Sequence, residues 1–262
     1  MSAFVGQASR TAAALYVGVV LVWLFAPVAV IVLFSFTTSP RMSLPIEGFT
    51  IDWYEKAFSA PLFARSLTNS LILAVVTAAV ATSLGVSFAF GVARLRRGAR
   101  AAAVTASLLP AAVPVLVLGI ALAVLFRSVG FAPGLLNAAV GHVLIALPFV
   151  ILTMNARLEN FDFSTLDAAR DLGATPLQTF RDVTFPLVRP SVLGAALLAM
   201  ALSLDEFVVT WFNIGNLSTI PVLIWGLLRR GIDPSINALA TTVLVALVAL
   251  VVLSNLISRR RA

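Results

Sequence analysis

Apolar runs alternate with short polar breaks along most of this chain. Six runs can be drawn, at roughly 13–36, 67–93, 101–126, 135–156, 190–212 and 236–257. Each is near the ~20 residues that a bilayer requires of a helix. A further apolar piece at 220–228, IPVLIWGLL, is too short to span and predicts a re-entrant or interfacial helix. Arg10 precedes the first run, but that run exceeds the apolar core of a signal peptide, about 7–15 residues, and no cleavage site follows. It reads as an uncleaved helix. The pattern predicts an all-α polytopic membrane protein with one transmembrane domain over 1–262, its core at 66–258.

One segment departs from this pattern. Residues 158–190, LENFDFSTLDAARDLGATPLQTFRDVTFPLVRP, are polar yet still predict two short helices. Ser164 with Asp167 three residues on resembles a capping box, which satisfies free N–H groups at a helix start. Gly173 can end that helix, because glycine takes left-handed geometry at little cost. Thr175 then caps a second helix with Pro176 at its first position. Leu177, Phe180 and Val183 share one side of it, and Pro186 is expected to stop it. A capped helical hairpin on a bilayer protein suggests a docking element.

Composition supports the membrane reading and removes several chemistries. Hydrophobic residues make up 60% of the 262, and mean hydropathy is +1.04. The chain has no cysteine, one histidine (His142) and few carboxylates, which argues against a zinc or iron site. The net charge of +7 does not form one basic surface, so no nucleic-acid partner is predicted. With both termini cytoplasmic, twelve of the eighteen arginines and lysines fall inside. These include the clusters at 94–100 and 259–261, and residues 158–189 fall inside too, as the positive-inside rule requires. The outside loop 37–66 carries Trp53 and Tyr54, which read as interfacial anchors. The single lysine, Lys56, follows no glycine, so the chain has no P-loop and no nucleotide site of that kind.

The strongest chemical anomaly is Asp205-Glu206, about fifteen residues into the fifth run. On a continuous helix that is roughly 22 Å from its start. A charge at the bilayer centre costs at least ~2.5–3.5 kcal/mol, so the pair should face a cavity, a partner helix or the outer interface. Helical spacing sets Glu206 on a polar stripe with Ser203, Thr210 and Asn213, whereas Asp205 neighbours Leu202, Val208 and Val209. Glu206 is therefore the better candidate for a water-filled path. Phe207 and Trp211 add faces for cation–π contact. Ser203, Asp205, Glu206, Thr210 and Trp211 are the candidate path residues. A purely structural carboxylate pair is the competing reading, and His142 reads as a satisfied packing residue.

The residues of the polar segment carry a family resemblance. Asp167-Ala168-Ala169, three residues, Gly173, nine residues, Val183, one residue and Phe185-Pro186 resemble the E-A-A-x3-G-x9-I-x-L-P motif of ABC-importer permeases. Asp stands for Glu, Val for Ile and Phe for Leu. Together with residues 48–58, 69–94, 203–209 and 231–241, the chain resembles permease subunits of spermidine/putrescine-type importers, of the second-permease (PotC-like) kind.

The resemblance implies a six-helix type I importer fold in the bacterial inner membrane, with a cytoplasmic coupling-helix hairpin between the fourth and fifth helices. It implies a second homologous permease, an ATPase dimer holding ATP and Mg, and an extracytoplasmic solute-binding protein, with no cofactor on this chain. Asp167, Ala168, Ala169, Gly173 and Pro186 become the ATPase-coupling residues. Related members carry ferric iron, thiamine, sulfate or opine-like solutes. Two readings from other classes compete: a secondary transporter or channel, using the carboxylates as ion sites, and a non-transporting scaffold protein.

Overall fold

The computed structural model describes residues 2–40, 42–230 and 233–259. Arg41, Gly231, Ile232, Arg260 and Arg261, which the sequence reading used, lie outside them. The described chain is helical, with one isolated bridge between Thr37 and Phe49. In order the helices are α1 (Ser2–Phe34), α2 (Asp52–Ser59), α3 (Pro61–Ala93), α4 (Arg97–Ser107), α5 (Leu109–Ala112), α6 (Val115–Ser128) and α7 (Leu135–Glu159). They continue with α8 (Ser164–Asp171), α9 (Pro176–Gln178), a π-helical segment (Thr179–Thr184), α10 (Phe185–Asp205), α11 (Val208–Asn213), α12 (Ile220–Arg230) and α13 (Pro234–Arg259). Four stretches are long and apolar enough to cross a membrane: Ala12–Phe34, Pro61–Ala93, Leu135–Glu159 and Pro176–Asp205.

Two expected runs are interrupted. The third is divided among α4, α5 and α6, with breaks beside Pro110 and Pro114. Proline has no N–H to donate and crowds the carbonyl four residues back, so two prolines four apart divide the run. The fifth ends at Asp205 and resumes as α11, because Glu206 adopts an extended conformation (ψ 114°).

The chain divides into two compact units. One comprises Met1–Pro61 and Ile224–Ile257. Within it the loop after α1 is tied by its aromatic residues: Trp53 Nε1 donates to the Thr37 carbonyl at 2.6 Å, and Tyr54 Oη lies 2.7 Å from Ser35 Oγ. Lys56 reaches Asp233 at 2.6 Å and lies over the Trp53 ring, 5.1 Å from its centroid. Burial pushes the Asp233 carboxyl up, but hydrogen bonds from Lys56 and Ser235 outweigh it and hold the group below its ordinary value.

The other unit is built mainly by Leu62–Leu223. Its core joins α3, α7, α8 and α10 through small residues: Ala78, Ala81 and Ala89, Ala146, and Ala195 and Ala199. Gly85 belongs to the same seam, since a Cβ there would stand 2.5 Å from Val150 Cγ1. Lipid tails are as apolar as leucine, so helices in a membrane associate by close packing, which small residues permit. Larger members of the core, Val150, Met154, Leu158 and Val188, fill the space towards α8. At that end Arg157 donates to the Leu187 carbonyl at 2.9 Å.

The polar segment forms its two short helices with two departures from expectation. Ser164 does not cap α8 through its side chain. Instead Asp162 accepts from both the backbone N–H and the hydroxyl of Ser164, at 2.9 and 2.6 Å. Those bonds, side chain first, hold the Asp162 carboxyl below its usual range. Asp167 faces Arg170 at 3.8 Å. Gly173 ends α8 at φ +91°, and Thr175 with Gln178 forms a reciprocal capping box on α9.

Pro186 does not stop the second helix. The chain runs from α9 through the π segment into α10, and Phe185 N–H bonds to the Phe180 carbonyl five residues back. The wider turn relieves the crowding a proline imposes on an α turn. The Thr184 hydroxyl donates to the Thr179 carbonyl at 3.2 Å within it.

Candidate functional site

The break between α10 and α11 gathers most of the predicted path residues. Asp205 is the last residue of α10 and is exposed, and Glu206 is half-buried. Glu206 Oε1 accepts the backbone N–H of Val209 at 2.8 Å, so its carboxylate caps the start of α11. A negative group is favoured there because the first N–H groups of a helix carry partial positive charge. Phe207 and Trp211 follow as a tilted ring pair with centroids 5.9 Å apart. One short stretch thus presents two carboxylates and two aromatic faces.

The other members of the expected stripe are directed elsewhere. Ser203, Thr210 and Asn213 are all buried. Ser203 Oγ lies 2.7 Å from His142 Nδ1, and Thr210 Oγ1 lies 2.7 Å from His142 Nε2. Ser203 Oγ is also 3.3 Å from Thr77 Oγ1, which extends the cluster to α3. Thr210 donates its hydroxyl to the Glu206 carbonyl at 3.0 Å. Its lone pairs then receive the Nε2–H, which places a ring proton on Nε2 as assigned from the network. Asn213 donates to the carbonyls of Gly119 at 3.0 Å and Val209 at 2.9 Å.

The stripe presumed one continuous helix. Because the backbone turns at Glu206, these groups clamp the break in place, and Glu206 is the stripe member left partly open, beside the exposed Asp205 and Trp211. Backbone contacts complete the clamp. Val209 is fully buried between glycines of α6 and α7: a Cβ on Gly119 would stand 3.3 Å from Val209 Cα, and one on Gly141 would collide with Val209 Cγ1.

His142 was legible only as a packing residue, yet it joins the two helices on either side of the break. The signal available in the sequence was Ser203 and Thr210, two hydroxyls seven residues apart flanking an acidic pair. Among the described residues no cluster of three or more histidines, cysteines or carboxylates could hold a metal.

The predicted coupling residues lie in and beside α8 and at the start of α10. Asp167 and Ala168 are exposed and Ala169 is partly exposed. Gly173 forms the turn, with open space around it. Pro186 lies in the first turn of α10, immediately after the π segment. The two groups of predicted residues therefore occupy different parts of the unit, linked by the length of α10.

The family described as "Binding-protein-dependent transport system inner membrane component" matches residues 81–261. The chain is 35% identical over 243 residues to the spermidine/putrescine transport system permease protein PotC of Haemophilus influenzae, covering 92% of this chain and 94% of that one. It is 33% identical over 233 residues to the putrescine transport system permease protein PotI of Escherichia coli K12, covering 85% and 82%. Among solved structures, a bacterial ABC transporter involved in import of the acidic polysaccharide alginate superposes with TM-score 0.70 at 17% identity, covering 97% of this chain and 96% of that one. The MetNI methionine ABC transporter, in inward-facing conformations, gives 0.61 at 22% identity, covering 76% and 94%.

Proposed function

The chain belongs to the family of inner-membrane components of binding-protein-dependent transport systems, and from that premise we propose that it is the permease subunit of an ATP-driven importer for a polyamine. The observation that carries the cargo class is the pairing of Asp205 and Glu206 with Phe207 and Trp211 at a helix break. It occurs in a chain whose curated relatives, at 32–35% identity over about 90% of its length, are spermidine/putrescine permeases. A polyamine is an extended chain of ammonium groups joined by methylenes. Carboxylates replace part of the ammonium hydration, and their attraction is stronger in a poorly hydrated cavity than in water. Aromatic faces serve both the cation and the methylenes.

The rest of the machine is supplied by other subunits. With no P-loop, this chain leaves ATP and Mg to a separate ATPase dimer. A second homologous permease completes the six-helix-per-subunit pathway, and an extracytoplasmic binding protein delivers the solute. Both termini and residues 158–190 face the cytoplasm, where α8, Gly173 and α9 receive ATPase closure and pass it through the π segment to α10. Because the chain has no cysteine, one introduced at Thr175 tests this orientation without background. It labels from the cytoplasmic side; labelling by an impermeant reagent in intact cells reverses the topology.

The decisive experiment is uptake by the reconstituted complex of a panel of labelled solutes: putrescine, spermidine, thiamine, ferric iron and sulfate. ATP-dependent accumulation of the polyamines is expected. Accumulation of sulfate but not polyamines sinks the cationic assignment. Uptake by this chain without an ATPase would make it a secondary transporter or channel.

A further inference from the structure

A cavity of about 480 Å³ lies where the last turns of α3 meet α8 and the π segment. Two arginines line it, Arg94 from just beyond α3 and Arg170 from α8. Its walls include Phe90, Phe163 and Phe180, and no carboxylate lines it. The Arg94 guanidinium has no hydrogen-bond or ion-pair partner among the described residues. Arg170 has Asp167 at 3.8 Å, with both side chains well exposed. An exposed pair at that distance contributes little and leaves most of the five guanidinium donors unused. The uninterrupted apolar stretch of α3 ends at Ala93, so the arginines stand at the edge of a membrane-crossing helix.

We propose that this cavity binds a phosphate-bearing anion, supplied by the headgroup of an anionic phospholipid, with Arg94 and Arg170 on the phosphate and the phenylalanines against the glycerol and first acyl carbons. One guanidinium without a counter-charge and a second held only by an exposed, distant carboxylate, in one cavity, call for a compact anion, and arginine matches phosphate oxygens in a bidentate fork. Basic pockets between helices at a membrane surface take anionic headgroups on the same grounds. The mixed lining favours a ligand that carries an apolar body beside its anionic group, because that body covers the aromatic walls. A zwitterionic headgroup fits less well, since its ammonium meets the second arginine. Occupancy would brace α8 against α3, so the lipid acts where the polar hairpin joins the bundle. The proposal depends on the chain spanning a membrane and not on the identity of its cargo.

The test uses the full chain, purified in mild detergent with whatever subunits accompany it and offered equal amounts of phosphatidylglycerol and phosphatidylcholine. Native mass spectrometry counts the lipids retained. Wild type should hold phosphatidylglycerol in preference. Arg94→Gln combined with Arg170→Gln should lower that retention by about tenfold, the scale of losing charge-assisted hydrogen bonds. Arg94→Lys, which keeps the charge, should retain part of it. Arg65→Gln, which removes an exposed arginine from the opposite end of α3, should leave it unchanged. Excess inorganic phosphate separates the sources: displacement of the lipid shows that the site accepts the free anion, and persistence assigns it to the headgroup. Equal retention of the two lipids by wild type, or unchanged retention in the double variant, overturns the proposal.

Discussion

His142 and Thr210 meet at 2.7 Å, imidazole Nε2 to hydroxyl Oγ1, and this contact fixes α11 to α7 immediately beyond the break at Glu206. Ser203 makes the matching contact from the other side, at 2.7 Å to Nδ1. One ring therefore holds both ends of an interrupted helix.

Replacing that ring tests the clamp. His142→Phe keeps a flat side chain but leaves two buried hydroxyls without their partner. Interhelical hydrogen bonds in membranes contribute about 0.6–2 kcal/mol each, so the variant should lose roughly 1–4 kcal/mol. Denaturant unfolding in detergent micelles measures this. Thr210→Val should cost less once His142 is gone than in its presence, because the two share one contact, leaving only the Thr210 bond to the Glu206 carbonyl to be lost. Full additivity of the two losses would mean that the contact carries no coupling.

A second prediction concerns close approach. Gly141→Ala places a Cβ against Val209 Cγ1 in a fully packed contact. Overpacking of this kind costs about 1–3 kcal/mol. Val209→Ala removes the obstructing methyl groups, so Gly141→Ala/Val209→Ala should be more stable than the sum of the single losses implies. A thermal-unfolding cycle over the four proteins reads the coupling, and its absence would show that the backbone shifts instead.

The third prediction separates charge from capping at the carboxylates. Glu206→Gln retains an oxygen for the Val209 N–H and loses only the charge, whereas Glu206→Ala loses both. Polyamine uptake should fall about tenfold or more in Glu206→Gln, equivalent to about 1.4 kcal/mol per factor of ten. Protein level should stay normal. Asp205→Asn, at an exposed position, should impair uptake less. If Asp205→Asn fails while Glu206→Gln transports normally, the cation is held by the other carboxylate.

Gly173 carries the fourth. Its φ of +91° disfavours a side chain, although open space surrounds it, so the penalty is one of backbone and not of packing. Gly173→Val should cost about 1–2 kcal/mol locally. It should also uncouple solute uptake from ATP hydrolysis while leaving the protein in the membrane. Gly173→Asn should be milder, because asparagine visits this conformation more readily. Uptake and solute-stimulated ATPase activity in vesicles check both, and wild-type coupling in Gly173→Val would remove the turn from the mechanism.

Legibility in the sequence followed the range of the forces involved. Gly173 and the Thr175-Pro176 start could be read directly, since a turn and a cap are decided within a few residues. Ser164 misled because Asp162, two residues earlier, takes its hydroxyl and N–H. Pro186 misled because a π turn absorbs a proline that an α turn resists. The acidic pair marked the right place in the chain, but the break itself depends on Gly119, Gly141 and His142, which lie 64 to 87 residues away from Glu206 in sequence and act only through tertiary contacts. No local periodicity encodes such a contact.

The pairing of α7 with α10 is unequally stiff along its length. At the His142 end, short side chains of fixed reach bond across the pair, and any slip breaks them. Between Ala146 and Val188 the surfaces are apolar throughout, alanine and valine with Met154 and Leu158, and displacement trades one set of dispersion contacts, each about 0.1–0.2 kcal/mol, for another. At the far end the tie is Arg157 to the Leu187 carbonyl, a long side chain that can follow a moving helix without letting go. Mechanically this is a lever with its fulcrum at the imidazole. The free arm ends at the π turn, so a push delivered there is resisted least where it arrives and most strongly beside the carboxylates.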